Sequence, residues 1–155
     1  MIKFHASVVW LVVAMAIACA WPSPLEAQRT EGENSMGNTL TLRIGDETFT
    51  ATLVDNPTAS AFKALLPLSV SMSELNGNEK LFRLRASLPT QPSSPSSIQS
   101  GDVMLYGSNT LVLFYKSFAT TYSYTRIGRI DDPAGLERAL GPGSVTVTFA
   151  VRQGQ

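Results

Sequence analysis

The sequence contains almost no histidine or cysteine: among 155 residues it has one of each, His5 and Cys19. Both fall in a segment that we predict to be removed on export. The remaining chain then cannot use a Ser-His-Asp or Cys-His mechanism, because it has no imidazole or thiol. It also has no thiolate or imidazole ligands for zinc, copper or haem, and it cannot form a disulfide. We therefore predict no metal and no cofactor, and expect packing to stabilise the fold.

The chain also lacks an excess of charge of either sign. Twelve basic and twelve acidic residues give a formal net charge of +0. No basic face is evident, so nucleic acid is not an expected partner, and no polybasic patch is present for anionic lipid. The sequence contains no phosphate loop, nucleotide-binding fingerprint or calcium loop. These absences leave peptides and small molecules as the expected partners.

The first 27 residues have the features of a signal peptide. Lys3 precedes an uncharged apolar run at residues 6–20, which is shorter than the roughly 20 residues that a membrane-spanning helix needs. Cleavage after Ala18, Ala20 or Ala27 fits the small residues found there. We predict an exported protein, periplasmic or extracellular.

Cys19 leaves a lipid anchor open as an alternative. The sequence AIAC at residues 16–19 resembles a bacterial lipobox, although Ala16 stands where leucine is usual. Membrane attachment is expected only by this route. The polar residues 28–38 follow as a predicted flexible linker, and the folded domain is predicted at residues 39–152.

Alternation of polar and apolar residues predicts a mainly β fold for that domain. Residues 39–44 and 48–53 form a predicted hairpin, with Leu40, Leu42, Ile44, Phe49, Ala51 and Leu53 pointing inward. A helix should begin at Pro57, capped by Asp55 or Asn56, and continue as an apolar stripe to Leu66. Further strands are predicted at residues 68–72, 80–84, 103–106, 110–115, 122–130 and 144–152, with a second helix at 134–140. About eight strands and two short helices favour a closed barrel, since closure leaves no exposed edge.

Four short stretches carry a family resemblance: DNPTA at residues 55–59, LLPL at 65–68, MLYG at 104–107 and YTRIG at 124–128. In this order and spacing the chain resembles a bacterial cyclophilin-like family over roughly residues 39–151. The resemblance implies a closed eight-stranded barrel with two short helices, in families mostly without an assigned activity. The Phe-His-Arg and Gln-Gly-Gly-Asp-like segments of prolyl isomerases are absent, so the resemblance does not imply isomerase activity by the usual arrangement.

Arg126 is the candidate polar residue of a site. Alternation along residues 122–130 places Tyr122, Tyr124, Arg126 and Gly128 on one face. An arginine between aromatic rings can bind a carboxylate or a peptide carbonyl. The alternative is an arginine stacked on tyrosine or paired with an aspartate (Asp102, Asp131 or Asp132).

Aromatic residues supply the candidate walls of the site. The predicted ligand-binding residues are Tyr106, Phe114, Tyr115, Tyr122 and Tyr124; the alternative is that these rings pack in the core or across strands. The leading prediction is an exported domain that binds a peptide or small ligand between these aromatics and Arg126. One alternative is a weak or degenerate prolyl isomerase, in which Arg126 would be catalytic while Phe114 and Tyr115 hold the proline ring. Another is a structural envelope module anchored through Cys19.

Overall fold

The structure, a computed structural model, describes residues 37–153. The predicted signal peptide, the cleavage sites, Cys19 and most of the predicted linker lie outside the described residues. Within residues 37–153, no helix has the length and apolar character needed to cross a membrane.

The described residues form ten strands and two short helices. The elements in chain order are β1 Thr39–Ile44, β2 Glu47–Leu53, α1 Pro57–Lys63, β3 Leu68–Leu75, β4 Glu79–Arg83, β5 Ser97–Ile98, β6 Asp102–Tyr106, β7 Thr110–Phe114, β8 Phe118–Ala119, β9 Thr125–Ile130, α2 Leu136–Leu140 and β10 Val145–Val151. Eight of the strands are antiparallel and close into a barrel with the order β1-β10-β3-β4-β7-β6-β9-β2. The prediction of a mainly β, closed eight-stranded barrel with two short helices is therefore confirmed for the described residues. The two remaining strands, β5 and β8, pair with each other outside the barrel.

The β1–β2 hairpin fills much of the barrel interior. Leu42 pairs with Phe49, and Leu40 pairs with Ala51. All six residues predicted to point inward are buried, as expected for strands with one apolar face. Each large apolar side chain buried in this way contributes roughly 1.5–3 kcal/mol. The inward alternation of this hairpin is confirmed.

Helix α1 begins as predicted but ends early. Asn56, not Asp55, is the cap: its Oδ1 accepts a hydrogen bond of 2.7 Å from the backbone N–H of Ala59. The predicted apolar stripe extended to Leu66, whereas the helix ends at Lys63 and Leu65 is 38% exposed. The helical conformation is disfavoured just before a proline, and Pro67 follows Leu66.

Helix α2 is shorter than predicted. It starts at Leu136 rather than at residue 134, because Gly135 adopts a left-handed conformation with φ of 82°. Asp132 stabilises the preceding turn by accepting a hydrogen bond from the N–H of Ala134. The neighbouring Asp131 instead accepts a hydrogen bond of 2.7 Å from the hydroxyl of Thr52 on β2.

Strand β9 contains an irregularity that changes the predicted face. Met104 pairs with Arg126 and Val103 pairs with Gly128, so Ile127 is an extra residue on β9. Tyr124 and Arg126 stay on the outer face, but the bulge turns Gly128 inward. The prediction that Gly128 shares a face with Arg126 is wrong, and the strand begins at Thr125 rather than at residue 122.

The outer face of the barrel carries a second apolar core, here called the outer cluster. It consists of Ile98, Met104, Val112, Phe114 and Tyr124, with Leu81 and Phe118 partly buried against it. Residues 86–101, which contribute Ile98, and residues 115–124, which contribute Phe118 and Tyr124, cover this face. Their coverage stops short of β4 and leaves an open groove there.

Candidate functional site

The groove lies on the outer face of β4 and β7, and we call it the tyrosine groove. Its volume is about 400 Å³. Alternation along β4 turns Glu79, Leu81 and Arg83 toward it, while β7 contributes Thr110 and Val112. Because Lys80 and Phe82 face the barrel interior, the same strand serves both the core and the groove. The floor is thus apolar in the middle, with a charged residue at each end.

Three tyrosines form one wall of the groove. Tyr106 lies 6.2 Å from Tyr122 and 5.7 Å from Tyr124, measured between ring centroids, and the first pair is edge-to-face. Tyr106 is 48% exposed and Tyr122 is 62% exposed, while Tyr124 is 7% exposed. Aromatic surface left open beside a groove is typical of an interaction site. The opposite wall comes from the β3–β4 turn and consists of Leu75, Asn76 and Asn78.

Glu79 is the polar group at one end of the groove. Glu79 is 8% exposed, and no described residue forms a hydrogen bond or ion pair with its carboxylate. Burial, assisted by the negative charge of Glu74, raises the pKa of Glu79. Burial and the charge of Glu79 also raise the pKa of Tyr124, which places this carboxylate near the tyrosine wall. The Oδ1 atom of the adjacent Asn78 is buried with no hydrogen-bond partner among residues 37–153.

Two of the predicted aromatic residues lie beneath the surface. Phe114 is fully buried in the outer cluster, 5.4 Å from Tyr124 in an edge-to-face contact. Tyr115 turns to the barrel interior, where its hydroxyl donates a hydrogen bond of 2.8 Å to Glu74. Burial, that hydrogen bond and nearby carboxylates raise the pKa of Tyr115 to about 12. Of the five predicted aromatics, the structure brings Tyr106, Tyr122 and Tyr124 together at the groove.

An ion pair between the buried Lys80 and the half-buried Glu74 closes the barrel interior behind Tyr115, and we call it the barrel-end network. Lys80 is fully buried and donates to Glu74 and to the carbonyl oxygens of Gly141 (2.7 Å) and Gly143 (2.6 Å). These three acceptors match the three donors of an ammonium group. Burial alone would raise the pKa of Glu74, but hydrogen bonds from Lys80 and Tyr115, with the Lys80 charge, lower it overall.

Arg126 lies outside the tyrosine groove. It is on β9, two strands beyond β7, and its Nη1 is 3.5 Å from Asp102 Oδ1. Arg129 reaches the same oxygen at 3.7 Å, while Asp102 Oδ2 accepts a hydrogen bond from the N–H of Gln99. Asp102 is fully buried and both arginine side chains are about half exposed. The predicted alternative, pairing of Arg126 with Asp102, is the arrangement observed, and both arginines line a separate shallow hollow.

Glu79, Asn78 and Arg83 were not among the sequence-predicted site residues. Alternation along the predicted strand at residues 80–84 could have placed Glu79 with Leu81 and Arg83. No local signal distinguishes such a face from an ordinary solvent-exposed one, because the groove depends on where residues 115–124 pack. No group of three His, Cys, Asp or Glu residues within 37–153 has the geometry to hold a metal ion.

Comparisons with known proteins agree with this architecture. The sequence profile of the cyclophilin-like family matches residues 42–150. The structure is similar to the solution structure of a hypothetical protein from Archaeoglobus fulgidus, with a TM-score of 0.59 and 20% sequence identity over 78% of this chain and 99% of that one. At that identity the likeness shows the fold alone. No curated protein matches the sequence.

Proposed function

We propose that this chain, which belongs to the cyclophilin-like family, binds a peptide or small ligand in the tyrosine groove. The observation that carries the proposal is the pair of exposed rings, Tyr106 and Tyr122, beside a groove of about 400 Å³ with an apolar floor. That volume is within the range of ligand pockets, and an apolar lining with few polar groups is their usual composition.

The geometry gives more support to binding than to the isomerase alternative. That alternative requires Arg126, Phe114 and Tyr115 to meet around one proline. Arg126 is instead held beside Asp102, while Phe114 is fully buried and Tyr115 is 8% exposed. An isomerisation assay on a proline peptide tests the isomerase alternative. We expect Arg126→Ala to leave the rate of proline isomerisation unchanged.

Selective labelling of tyrosine rings tests the binding proposal directly. The chain has four tyrosines, of which three line the groove while Tyr115 lies behind it. Ring signals of ¹³C-tyrosine-labelled protein should shift for Tyr106, Tyr122 and Tyr124 during titration with a library of small apolar fragments and short peptides. Tyr115 is the internal control, because it contacts Glu74 inside the barrel.

A pair of variants sharpens this test. Tyr122→Ala should weaken binding of any fragment found by at least about fivefold, as truncation of an aromatic anchor does. Leu65→Ala removes an exposed apolar side chain outside the groove and should leave affinity unchanged. Fragments that bind without shifting the three groove tyrosines would contradict the proposal.

We also propose export, on the strength of residues 1–27 alone. Cell fractionation should find the protein in the periplasm or the medium, or on the membrane if Cys19 is acylated. If it is on the membrane, a Cys19→Ala variant that remains there would refute the lipid anchor.

A further inference from the structure

Glu79 and Asp102 are the two buried carboxylates of the described residues, and Glu79 is the one without a basic partner among residues 37–153. Asp102, fully buried, has Arg126 and Arg129 within 3.7 Å. The half-buried Glu74 has Lys80 and the hydroxyl of Tyr115. Glu79 is 8% exposed, and its carboxylate forms no hydrogen bond or ion pair with any of residues 37–153. The oxygens of Glu79 are not among the fully enclosed unpaired atoms of the described residues, so its carboxylate opens to the groove. Partial removal of an unpaired carboxylate from water raises its free energy, and a cation bound in the groove would offset that cost.

The groups around Glu79 present negative rather than positive potential. On β3, Glu74 adds a second negative charge that raises the pKa of Glu79. In the β3–β4 turn, Asn78 Oδ1 is an acceptor without a donor among the described residues. Across the groove stand the rings of Tyr106, Tyr122 and Tyr124, whose faces carry the negative part of the aromatic quadrupole. Carboxylate, carbonyl oxygen and aromatic faces together are the surroundings that an organic ammonium ion prefers.

The shape of the groove indicates what carries that ammonium group. Glu79 and Arg83 are four residues apart on one strand, a distance of roughly 13 Å. Leu81 lies between them and forms part of the apolar floor. The groove therefore suits an apolar chain that ends in a positive charge at Glu79. A lysine side chain has this distribution, since four methylene groups separate its charge from the backbone. The peptide backbone would then lie toward the open side, near the exposed ring of Tyr122.

We propose that the tyrosine groove recognises a lysine side chain of a peptide, with the ammonium group bound by Glu79 and enclosed by the tyrosine rings. This inference rests on the proposed binding function and specifies its ligand class. Charge complementarity selects this occupant: an acidic or neutral ligand would leave Glu79 without a partner. Free alkylamines share the ammonium chemistry but lack the backbone that the open side of the groove accommodates.

A matched pair of compounds tests the proposal on the purified protein. Nα-acetyl-lysine-N-methylamide carries the ammonium group on its side chain. The norleucine analogue has the same backbone and an uncharged alkyl side chain. Titration followed by the ¹³C-tyrosine ring signals gives both affinity and location. We expect the lysine compound to bind about tenfold to a hundredfold more tightly, the range for a hydrogen bond to a charged group. n-Butylammonium, the side chain without a backbone, should bind more weakly than the lysine compound.

Two glutamate variants separate recognition from general charge effects. Glu79→Gln keeps the shape of the side chain and should remove the preference for lysine over norleucine. Glu137→Gln removes an exposed carboxylate on α2, outside the groove, and should preserve that preference. Asn78→Ala should lower affinity for the lysine compound by a smaller factor than Glu79→Gln.

The outcomes distinguish this inference from the function on which it rests. If the norleucine compound shifts the groove tyrosines as strongly as the lysine compound, the groove binds ligands but the ammonium site is refuted. If lysine preference survives in Glu79→Gln, the assignment to Glu79 is wrong. Equal binding of n-butylammonium and the lysine compound overturns the peptide assignment. If neither compound nor any apolar fragment shifts the groove tyrosines, both proposals fail.

Discussion

Replacement of Lys80 by methionine should be one of the most destabilising single changes in the barrel. Lys80 is fully buried, and its ammonium group donates to Glu74, Gly141 and Gly143. Methionine keeps an unbranched apolar stem of similar size but donates to none of these acceptors. Two carbonyl oxygens would lose this donor, and Glu74 would lose its cation while keeping the hydrogen bond from the hydroxyl of Tyr115. Removal of one partner of a buried ion pair typically costs about 3–5 kcal/mol.

Thermal unfolding measures the effect. An unfolding entropy of about 2.1 cal/mol/K per residue makes 1 kcal/mol worth about 4 °C for a domain of this size, so the expected fall in Tm is on the order of 12–20 °C. Lys116→Met is the matched control: Lys116 pairs with Glu137 at 3.1 Å, but its side chain is 48% exposed. An exposed pair contributes about 0–1 kcal/mol. A Lys80→Met variant that unfolds within about 1 kcal/mol of the unmodified protein would refute this account of the barrel-end network.

Three further changes test other parts of the structure. Burial raises the pKa of Glu79 above its ordinary value of 4.5, so the folded state holds the proton more tightly than the unfolded state, and stability falls as pH rises through the raised pKa. Glu79→Gln should therefore be more stable than the unmodified protein in urea at neutral pH, and the difference should vanish below pH 4.5. Equal stability of the two proteins at both pH values would contradict the raised pKa of Glu79. Gly128→Ala should lower the free energy of unfolding by about 1–3 kcal/mol in chemical denaturation, because an added Cβ would lie 2.6 Å from the carbonyl oxygen of Thr52. An unchanged free energy of unfolding would show that β2 and β9 can separate freely. Asn56→Ala removes the cap of α1 and a hydrogen bond to the carbonyl of Arg126, so it should lower the free energy of unfolding by about 1–2 kcal/mol. Asn56→Asp keeps the cap acceptor and should recover part of that loss.

The barrel could be predicted from the sequence because its strands alternate locally. Leu40, Leu42 and Ile44 face inward since a period of two admits only one buried face. The cap of α1 followed from residue chemistry, with Asn56 able to accept from the first turn. The bulge in β9 was missed because it depends on close contact between Gly128 and the backbone of Thr52, more than seventy residues away.

The site was only partly predictable for a related reason. Tyr106, Tyr122 and Tyr124 were identified as aromatic residues on or near strands, and their meeting at one groove depends on the path of residues 115–124. Arg126 was expected beside them because it follows Tyr124 by two positions on the same face. The strand order β4-β7-β6-β9 instead separates it from β4 by two intervening strands. Composition gave no indication that Glu79 would be buried while its neighbour Lys80 pairs inside the barrel.

A crystal structure of the protein in complex with Nα-acetyl-lysine-N-methylamide would show whether Glu79 binds the ammonium group of a lysine side chain. We expect the compound in the tyrosine groove, with its alkyl chain over Leu81 and its ammonium nitrogen within about 3 Å of the Glu79 carboxylate. A compound bound instead in the hollow beside Arg126 and Arg129, or in the groove with its ammonium group directed away from Glu79, would contradict it.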